Sequence, residues 1–395
     1  MSCWPLRSIG SICEVNPRLP RGHGIADDRI VSFVPMAAVD EICGTIRDSQ
    51  TRPFVEVKKG YTHFRSGDVL FAKITPCMEN GKAAIASDLV SGLGFGSTEF
   101  HVLRAKDEVL PEWLFYFVRR PTFRNEAKRN FTGTAGQQRV PATFLSSAAI
   151  PVPLLPEQRR IVDLLSRAEG IVRLRREAEK KAAELIPALF LDMFGDPVTN
   201  PKGWPVAPIS NICDKCSTID PRKTPEVGFS YIDIAAIDND KGIIAHSKAL
   251  LGADSPSRAR QVVKAGDVIF STVRPNLRGS AMVPDDLDGQ ICSTGFCVLR
   301  PKTAITSAFV YSLVRSSWFV AEMMKKVRGA QYPAVTDKDL FGHSIPTPPM
   351  EIQQQFSARF DEIVAIKSQQ GVATAKAQAT FDALLAGVFD GRGRN

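Results

Sequence analysis

The sequence repeats itself at a nearly constant spacing, and this repeat limits the possible folds more than any other feature. The run Gly67-Asp68-Val69-Leu70-Phe71 returns as Gly266-Asp267-Val268-Ile269-Phe270. Other matches keep the same order: Trp4-Pro5 with Trp204-Pro205, Val102-Leu103-Arg104 with Val298-Leu299-Arg300, Val118-Arg119 with Val314-Arg315, and Ile150-Pro151 with Ile345-Pro346. The offset drifts only from 200 residues (Trp4 to Trp204) to 195 (Ile150 to Ile345), as small loop deletions produce. The chain is therefore an internal duplication.

Each half has the same predicted organisation, a mixed α/β domain followed by one long helix. The α/β domain of each half is rich in Val, Ile, Phe and Thr, and its pieces 69–74 and 268–273 follow a Gly-Asp turn, which predicts strands. The pieces 113–119 and 309–314 predict short helices. We therefore expect two duplicated α/β domains at 1–153 and 196–348, and two long helices at 154–195 and 349–390.

The long helices carry apolar residues at heptad spacing, which is typical of a coiled-coil seam. The first is predicted from Pro156 to Phe194, with Pro187 expected to kink or fray its last turns and Gly195 to end it. Its predicted seam consists of Ile161, Leu164, Ala168, Ile171, Leu185 and Leu189. The second is predicted from Met350 to Phe389, with Phe356, Ile363, Ile366 and Leu384 at equivalent positions.

Each long helix has a single apolar stripe, and that stripe must be covered. The matching positions in a duplicated chain favour an antiparallel coiled coil between the two helices. A helix of about 34 residues is roughly 50 Å long, so we expect a domain at each end, related by a pseudo-two-fold axis. Homodimerisation through the stripes, or docking of each helix on its own domain, is the alternative.

Composition favours an acidic partner and a reducing compartment. Lys and Arg number 50 against 42 Asp and Glu, which gives a net charge of +8. The 8 cysteines are too sparse for a disulfide scaffold, and the lone pair Cys213 and Cys216 lacks the four ligands of a structural zinc site. With no signal peptide and no long apolar run, we expect a cytoplasmic protein without a membrane partner.

Two similar domains on a rigid spacer suit a ligand with two separated sites, and duplex DNA presents the same groove face about every 34–36 Å. Thr75-Pro76 and Arg274-Pro275 follow the two Gly-Asp runs, and Ile-Pro-Val-Pro-Leu-Leu-Pro-Glu-Gln at 150–158 opens the first long helix. That helix is followed by Gly-Asp-Pro at 195–197. The second copy of the Pro-rich motif, at 345–353, is interpreted as carrying an inserted Ile352.

In these motifs, over its whole length, the chain resembles the specificity subunit of type I restriction-modification systems. The resemblance implies two target-recognition domains, each reading one half of a bipartite sequence in double-stranded DNA. It also implies that the long helices dock two methyltransferase subunits, onto which two restriction-translocase subunits can assemble. S-adenosylmethionine, ATP and magnesium would bind to those partners, and this chain would need no cofactor or metal of its own.

Two polar, Gly-containing segments in each half are the candidate DNA contacts, because Arg, Lys, Asn and Gln read base edges and phosphates. In the first half they contain Lys73, Thr75, Asn80 and Lys82, and then Gln137, Gln138 and Arg139. In the second half they contain Arg274, Asn276 and Arg278, and then Gln331 and Tyr332. The alternative is that these segments are ordinary solvated loops.

Sequence motifs of catalysis are missing. The chain has no Asn-Pro-Pro-Tyr or Asp-Pro-Pro-Tyr motif of an adenine methyltransferase and no GxxxxGK[ST] phosphate loop. We therefore expect a non-catalytic DNA-recognition subunit. Three rival hypotheses remain: a specificity subunit that serves a fused nuclease-methyltransferase, a stand-alone DNA-binding regulator, and an enzyme whose active site assembles from distant residues.

Overall fold

A computed structural model describes residues 4–134, 136–329 and 333–390, and the chain forms two compact units. The first unit is Met1–Arg176 with Val372–Asn395, and the second is Glu177–Gly371. Each unit thus contains one α/β domain together with part of both long helices.

The first unit contains two four-stranded sheets and a two-stranded sheet. Its strands are β1 (Leu6–Ser8), β2 (Cys13–Val15), β3 (Ile30–Val34), β4 (Gln50–Pro53), β5 (Thr62–Arg65), β6 (Val69–Ala72), β7 (Ala83–Ile85), β8 (Leu93–Gly96), β9 (Phe100–Ala105) and β10 (Ala149–Pro151). Its helices before the long one are α1 (Ile9–Ile12), α2 (Phe54–Val57), α3 (Pro111–Arg119), α4 (Pro121–Arg129) and α5 (Ala142–Ser147). The sheet orders are β2-β9-β6-β7, β4-β3-β8-β5 and β1-β10. Among the residues that the structure describes in this unit, only β3 and β8 pair in parallel.

The first long helix, α6 (Leu155–Phe194), leads into the second unit. The strands there are β11 (Val206–Pro208), β12 (Cys213–Asp214), β13 (Gly228–Ile232), β14 (Ile237–Asp238), β15 (Ile243–Ile244), β16 (Lys248–Leu251), β17 (Ala259–Val262), β18 (Val268–Ser271), β19 (Ser280–Met282), β20 (Ile291–Ser293), β21 (Phe296–Pro301) and β22 (Ser344–Pro346). The helices are α7 (Ile209–Ile212), α8 (Ser307–Arg315), α9 (Ser317–Lys326), α10 (Asp337–Phe341) and the second long helix, α11 (Met350–Phe389).

The second unit repeats the topology of the first. Its sheets have the orders β12-β21-β18-β19, β16-β13-β20-β17 and β11-β22, and β13 and β20 form the matching parallel pair. A small β14-β15 ladder stands where the first unit has a single bridge between Val39 and Ile46. The duplicated mixed α/β fold predicted from the sequence is confirmed.

The aspartate of the repeated Gly-Asp run forms a buried ion pair in each half. Asp68 is 1% exposed, accepts a hydrogen bond from the Arg65 N–H, and forms a bidentate ion pair with Arg104 at 2.7 and 2.9 Å. Asp267 and Arg300 form the same pair, also at 2.7 and 2.9 Å. Because a buried carboxylate needs a partner, Asp and Arg return together in both halves.

A buried glutamine ties the start of each long helix to its domain. Gln158 is fully buried, accepts from the Leu110 N–H, and donates to the carbonyls of Glu108 and Pro153. Gln353 makes the same three bonds, with Thr306, Ala304 and Pro348. Each glutamine donates to the carbonyl five residues before it. The two Pro-rich motifs therefore align without a gap. The insertion of Ile352 inferred from the sequence was wrong, because Ile352 stands at the position of Glu157.

The two long helices pack on each other antiparallel, because the start of α6 and the end of α11 share the first core. That core contains Ile161, Leu165, Val172, Phe381, Leu385 and Phe389. In the second unit the end of α6 packs with the start of α11 through Ile186, Phe190, Phe194, Phe356 and Phe360. Gly195 (φ +80°) follows the end of α6, as expected, whereas the helix continues for seven residues beyond Pro187 instead of fraying there.

Of the predicted seam residues, those at the first heptad position lie against the cores, whereas the four at the second heptad position are exposed. Ile161 is buried, and Ala168, Leu189, Ile363 and Leu384 pack against the cores. Leu164, Ile171, Leu185 and Ile366 are 45, 52, 47 and 48% exposed. Leu165, Val172 and Ile186 are buried in place of the first three. At 164/165, 171/172 and 185/186 the sequence has two apolar residues in succession. The heptad spacing fits either residue of each pair, and packing against the α/β domains selects the second residue.

Candidate DNA interface

The two candidate segments of each half lie side by side at the end of a central strand. In the first half, the Thr75 N–H donates to the Gln138 carbonyl at 3.0 Å, and the Val140 N–H donates to the Lys73 carbonyl at 2.9 Å. A β-bridge between Ile74 and Arg139 closes the contact. We call residues 73–82 the strand-end loop of the first half, and the described residues 132–134 and 136–139 its closing loop.

The second half repeats this arrangement with a strand-end loop at 272–279 and a closing loop whose described residues are 328, 329, 333 and 334. The Arg274 N–H donates to the Pro333 carbonyl at 2.8 Å, and the Val335 N–H donates to the Thr272 carbonyl at 3.0 Å. The candidates Gln331 and Tyr332 lie outside the described residues.

A third loop joins the strand-end loop in each half, and the sequence analysis missed it. In the first half it is Asp40–Gly44, where Asp40 accepts hydrogen bonds from two backbone N–H groups. Gly44 has φ +61°, and a Cβ there would lie 2.4 Å from the Phe115 ring. Asp238–Gly242 is the equivalent loop, where Gly242 has φ +69°. The signal was in the repeat, because Ala-Val-Asp at 38–40 returns as Ala-Ile-Asp at 236–238 with Gly four residues later.

One arginine at the end of a helix holds this third loop in each half. Arg119, on α3, donates to the Ile42 carbonyl at 2.8 Å and pairs with Glu169 of α6 at 2.5 Å. Arg315, on α8, donates instead to four backbone carbonyls: Asn239, Asp240, Arg278 and Ser280. Arg315 therefore fixes the third loop and the strand-end loop of the second half together.

In the first half, side chains of the candidate residues are engaged within the protein. Arg139 forms a bidentate ion pair with Glu99, both contacts at 2.9 Å. The Thr75 hydroxyl donates to Glu79 at 3.2 Å, Asn80 donates to Glu41 at 3.3 Å, and Lys82 donates to the Met36 carbonyl at 3.3 Å. Lys73 and Gln138 are half-buried, and Gln137 is exposed.

The second half presents its candidates differently. Arg274, Asn276 and Arg278 are all exposed. Both arginines have left-handed backbones, with φ +50° and φ +54°. The Arg278 guanidinium donates to the Ser317 hydroxyl at 2.9 Å, and that of Arg274 forms no ion pair with any residue that the structure describes.

Hydrogen-bonded ion pairs keep two carboxylates near the loops of the first half ionised. Hydrogen bonding from Arg139 holds the pKa of Glu99 below its usual value, and Lys128, 2.8 Å from Glu79, does the same for the pKa of that carboxyl. Both acids therefore stay ionised and offset nearby cations. The three loops of each half together offer the hydrogen-bond donors and acceptors that base edges and phosphates require.

The described ranges contain no group of three or more His, Cys, Asp and Glu able to hold a metal ion. Burial raises the pKa of Cys213 to about 12 and that of Cys216 to about 11, so neither is a ready thiolate ligand. None of the helices in the described ranges has the length and hydropathy that a membrane crossing requires.

The comparisons with known proteins agree with this architecture. The family model for the type I restriction modification DNA specificity domain matches residues 1–184 and 201–372. The specificity subunit of the type I restriction enzyme EcoAI from Escherichia coli is 39% identical over 160 residues, which are 40% of this chain but only 27% of that relative. The putative MjaX specificity subunit from Methanocaldococcus jannaschii is 22% identical and is matched over 92% of its length and 97% of this chain.

Two solved structures share the fold over nearly the whole chain. A chain from a type I restriction-modification system has a TM-score of 0.59 and 23% identity, and the match covers 98% of this chain and 97% of that one. The S subunit of the M. genitalium type I system has a TM-score of 0.57 and 13% identity, and covers 98% of this chain and 96% of its own. At these identities the likeness shows the fold alone.

Proposed function

The chain belongs to the family of the type I restriction modification DNA specificity domain, and from that membership we propose that it is the DNA-recognition subunit of a type I restriction-modification complex. Each half reads one part of a bipartite sequence in double-stranded DNA. The observation that carries the proposal is the duplicated surface of three loops, fixed in each half by matching main-chain hydrogen bonds and by one arginine.

The partners follow from the same proposal. Two methyltransferase subunits bind this chain and methylate adenines that are flipped out of the duplex. Two restriction-translocase subunits assemble on them where the system includes restriction. S-adenosylmethionine, ATP and magnesium bind to these partners, and the complex works in the cytoplasm.

The chain contributes recognition and no catalysis. Its loops combine arginine, lysine and amide side chains with a backbone fixed by internal hydrogen bonds, which suits the reading of base edges. The family and the relatives are named for specificity, in keeping with this division of labour.

Methylome sequencing tests the proposal directly. The chain and the methyltransferase encoded beside it would be expressed in a host without DNA methylation, next to a control that lacks this chain. We expect a split adenine-methylated motif that forms only when the chain is present. If the two proteins form a complex and no motif is methylated, the proposal is wrong, and a stand-alone DNA-binding regulator becomes the better account.

A further inference from the structure

Main-chain hydrogen bonds identify which residues of the two halves occupy the same place. The N–H groups of Thr75 and Arg274 both donate to the closing loop, so Arg274 stands where the first half has Thr75. By the same reasoning, Lys73 and Thr272 donate to the carbonyls of Glu99 and Gly295. Gly295 therefore stands where the first half has Glu99.

The ion pair between Arg139 and Glu99, which neutralises charge at the loops of the first half, has no counterpart in the second half. Val140 and Val335 make equivalent bonds, so the residue before each is equivalent too, and Ala334 replaces Arg139. Both members of the Arg139–Glu99 pair are thus replaced by residues without charge. Glu41 likewise corresponds to Asn239, because Asp40 and Asp238 begin matching loops.

The second strand-end loop has two arginines and no acidic residue. It is two residues shorter than its counterpart. Arg278 (φ +54°) occupies the left-handed position that Gly81 (φ +82°) fills in the first half, because each stands one residue before the carbonyl that closes the loop. Arg274 (φ +50°) is left-handed as well.

A left-handed backbone is unfavourable for arginine, and such strain persists where the surrounding structure enforces it. Here the enforcing contacts are visible. The Arg315 guanidinium stabilises this geometry of the loop, since it donates to the carbonyls of Arg278 and Ser280 at 3.2 and 3.0 Å. The Arg274 N–H is held by the closing loop at 2.8 Å. Both guanidinium groups therefore project from a fixed backbone.

We propose that Arg274 and Arg278 bind a pair of hydrogen-bond acceptors on DNA, and that Arg315 is the positioning residue that holds them. This inference rests on the proposed function. The planar guanidinium fork matches two sources of this chemistry, the O6 and N7 edge of guanine and the oxygens of a phosphate. In the first half, by contrast, Arg139 is held in an ion pair with Glu99.

The test uses the whole chain in complex with its methyltransferase, with Arg274→Asn and Arg274→Lys as variants. Asparagine tolerates the left-handed backbone, so the loop keeps its shape, and lysine keeps the charge without the fork. Arg222→Asn is the matched control in the same half, because Arg222 is already paired with Asp220 at 3.0 Å. DNA affinity at several salt concentrations and the methylated motif are measured for each protein.

We expect Arg274→Asn to weaken DNA binding about 5- to 150-fold, with Arg222→Asn unchanged. If guanine is the ligand, one G·C position of a single half-site becomes degenerate, and lysine does not restore it. If phosphate is the ligand, all sites lose methylation evenly, the salt slope falls by about one, and lysine restores binding. Wild-type binding and motif in both Arg274→Asn and Arg278→Asn would overturn the inference while leaving the proposed function intact.

Discussion

The two halves share a frame, by which we mean the residues that fix the backbone, and they differ in the charges of their loops. Three features occupy equivalent places and hold equivalent backbone in the two halves. They are the ion pairs Asp68–Arg104 and Asp267–Arg300, the glutamines Gln158 and Gln353, and the arginines Arg119 and Arg315. At the loops, Arg139–Glu99 in the first half corresponds to Ala334 and Gly295 in the second. The two halves have therefore kept the residues that fix the backbone and differ in the charges of their loops.

The shared frame predicts equal and large losses of stability when its buried ion pairs are broken. Asp68→Ala and Asp267→Ala each leave a poorly solvated arginine without its carboxylate, so each should lower the free energy of unfolding by about 3–5 kcal/mol. Chemical denaturation measures both. Asp27→Ala, whose carboxylate is 63% exposed and pairs with Lys58, is the control and should stay within about 0.5 kcal/mol of wild type. A large loss in one half alone would break the comparison.

A smaller loss of stability, confined to the first half, is expected when the contact between α6 and the arginine that holds the third loop is weakened. Glu169 of α6 accepts hydrogen bonds from Arg119 at 2.5 Å and from Tyr116 at 3.1 Å. Position 364 is its counterpart in the repeat and is valine. Glu169→Gln should lower the free energy of unfolding by about 1–2 kcal/mol, because it removes a charged partner.

Val364→Glu should instead stabilise the second unit by up to about 1 kcal/mol. Thermal unfolding of both variants checks the two predictions. Destabilisation by Val364→Glu would contradict the equivalence.

The smallest effect is a pH dependence that belongs to the first half. The Arg139 hydrogen bonds lower the folded-state pKa of Glu99, so the carboxylate stabilises the fold above its unfolded pKa of about 4.3 and this contribution is lost as the pH falls through the lower folded value. Glu99→Gln should therefore reduce the loss of melting temperature between about pH 5 and pH 3. An equally steep loss in the variant would remove Glu99 from the account. The second half has Gly295 at this place and therefore lacks this carboxylate.

Much of the fold could be predicted from the sequence, because duplication turns weak patterns into paired ones. Repeated matches predicted the strands after Gly67-Asp68 and Gly266-Asp267 and the short helices near Arg119 and Arg315. Heptad spacing predicted both long helices. The helix register could not be predicted, since Leu164 and Leu165 are equally apolar and only packing distinguishes them.

The candidate site was less predictable for a physical reason. Thr75 and Gln138 are distant in sequence, and their contact is a main-chain hydrogen bond that no side-chain pattern reveals. The third loop was missed because Asp40 and Gly44 serve backbone geometry and carry no obvious recognition chemistry. The neutralisation of Arg139 by Glu99 likewise depends on a fold that brings together residues 40 positions apart.

The central claim is that each half reads its own half-site on an equivalent frame. It is tested most directly by replacing residues 1–150 with the matching residues of another family member and sequencing the methylome of cells that express the hybrid with the methyltransferase. The account predicts that one half of the split motif changes while the other half and the spacing stay the same. Changes in both halves of the motif would contradict it.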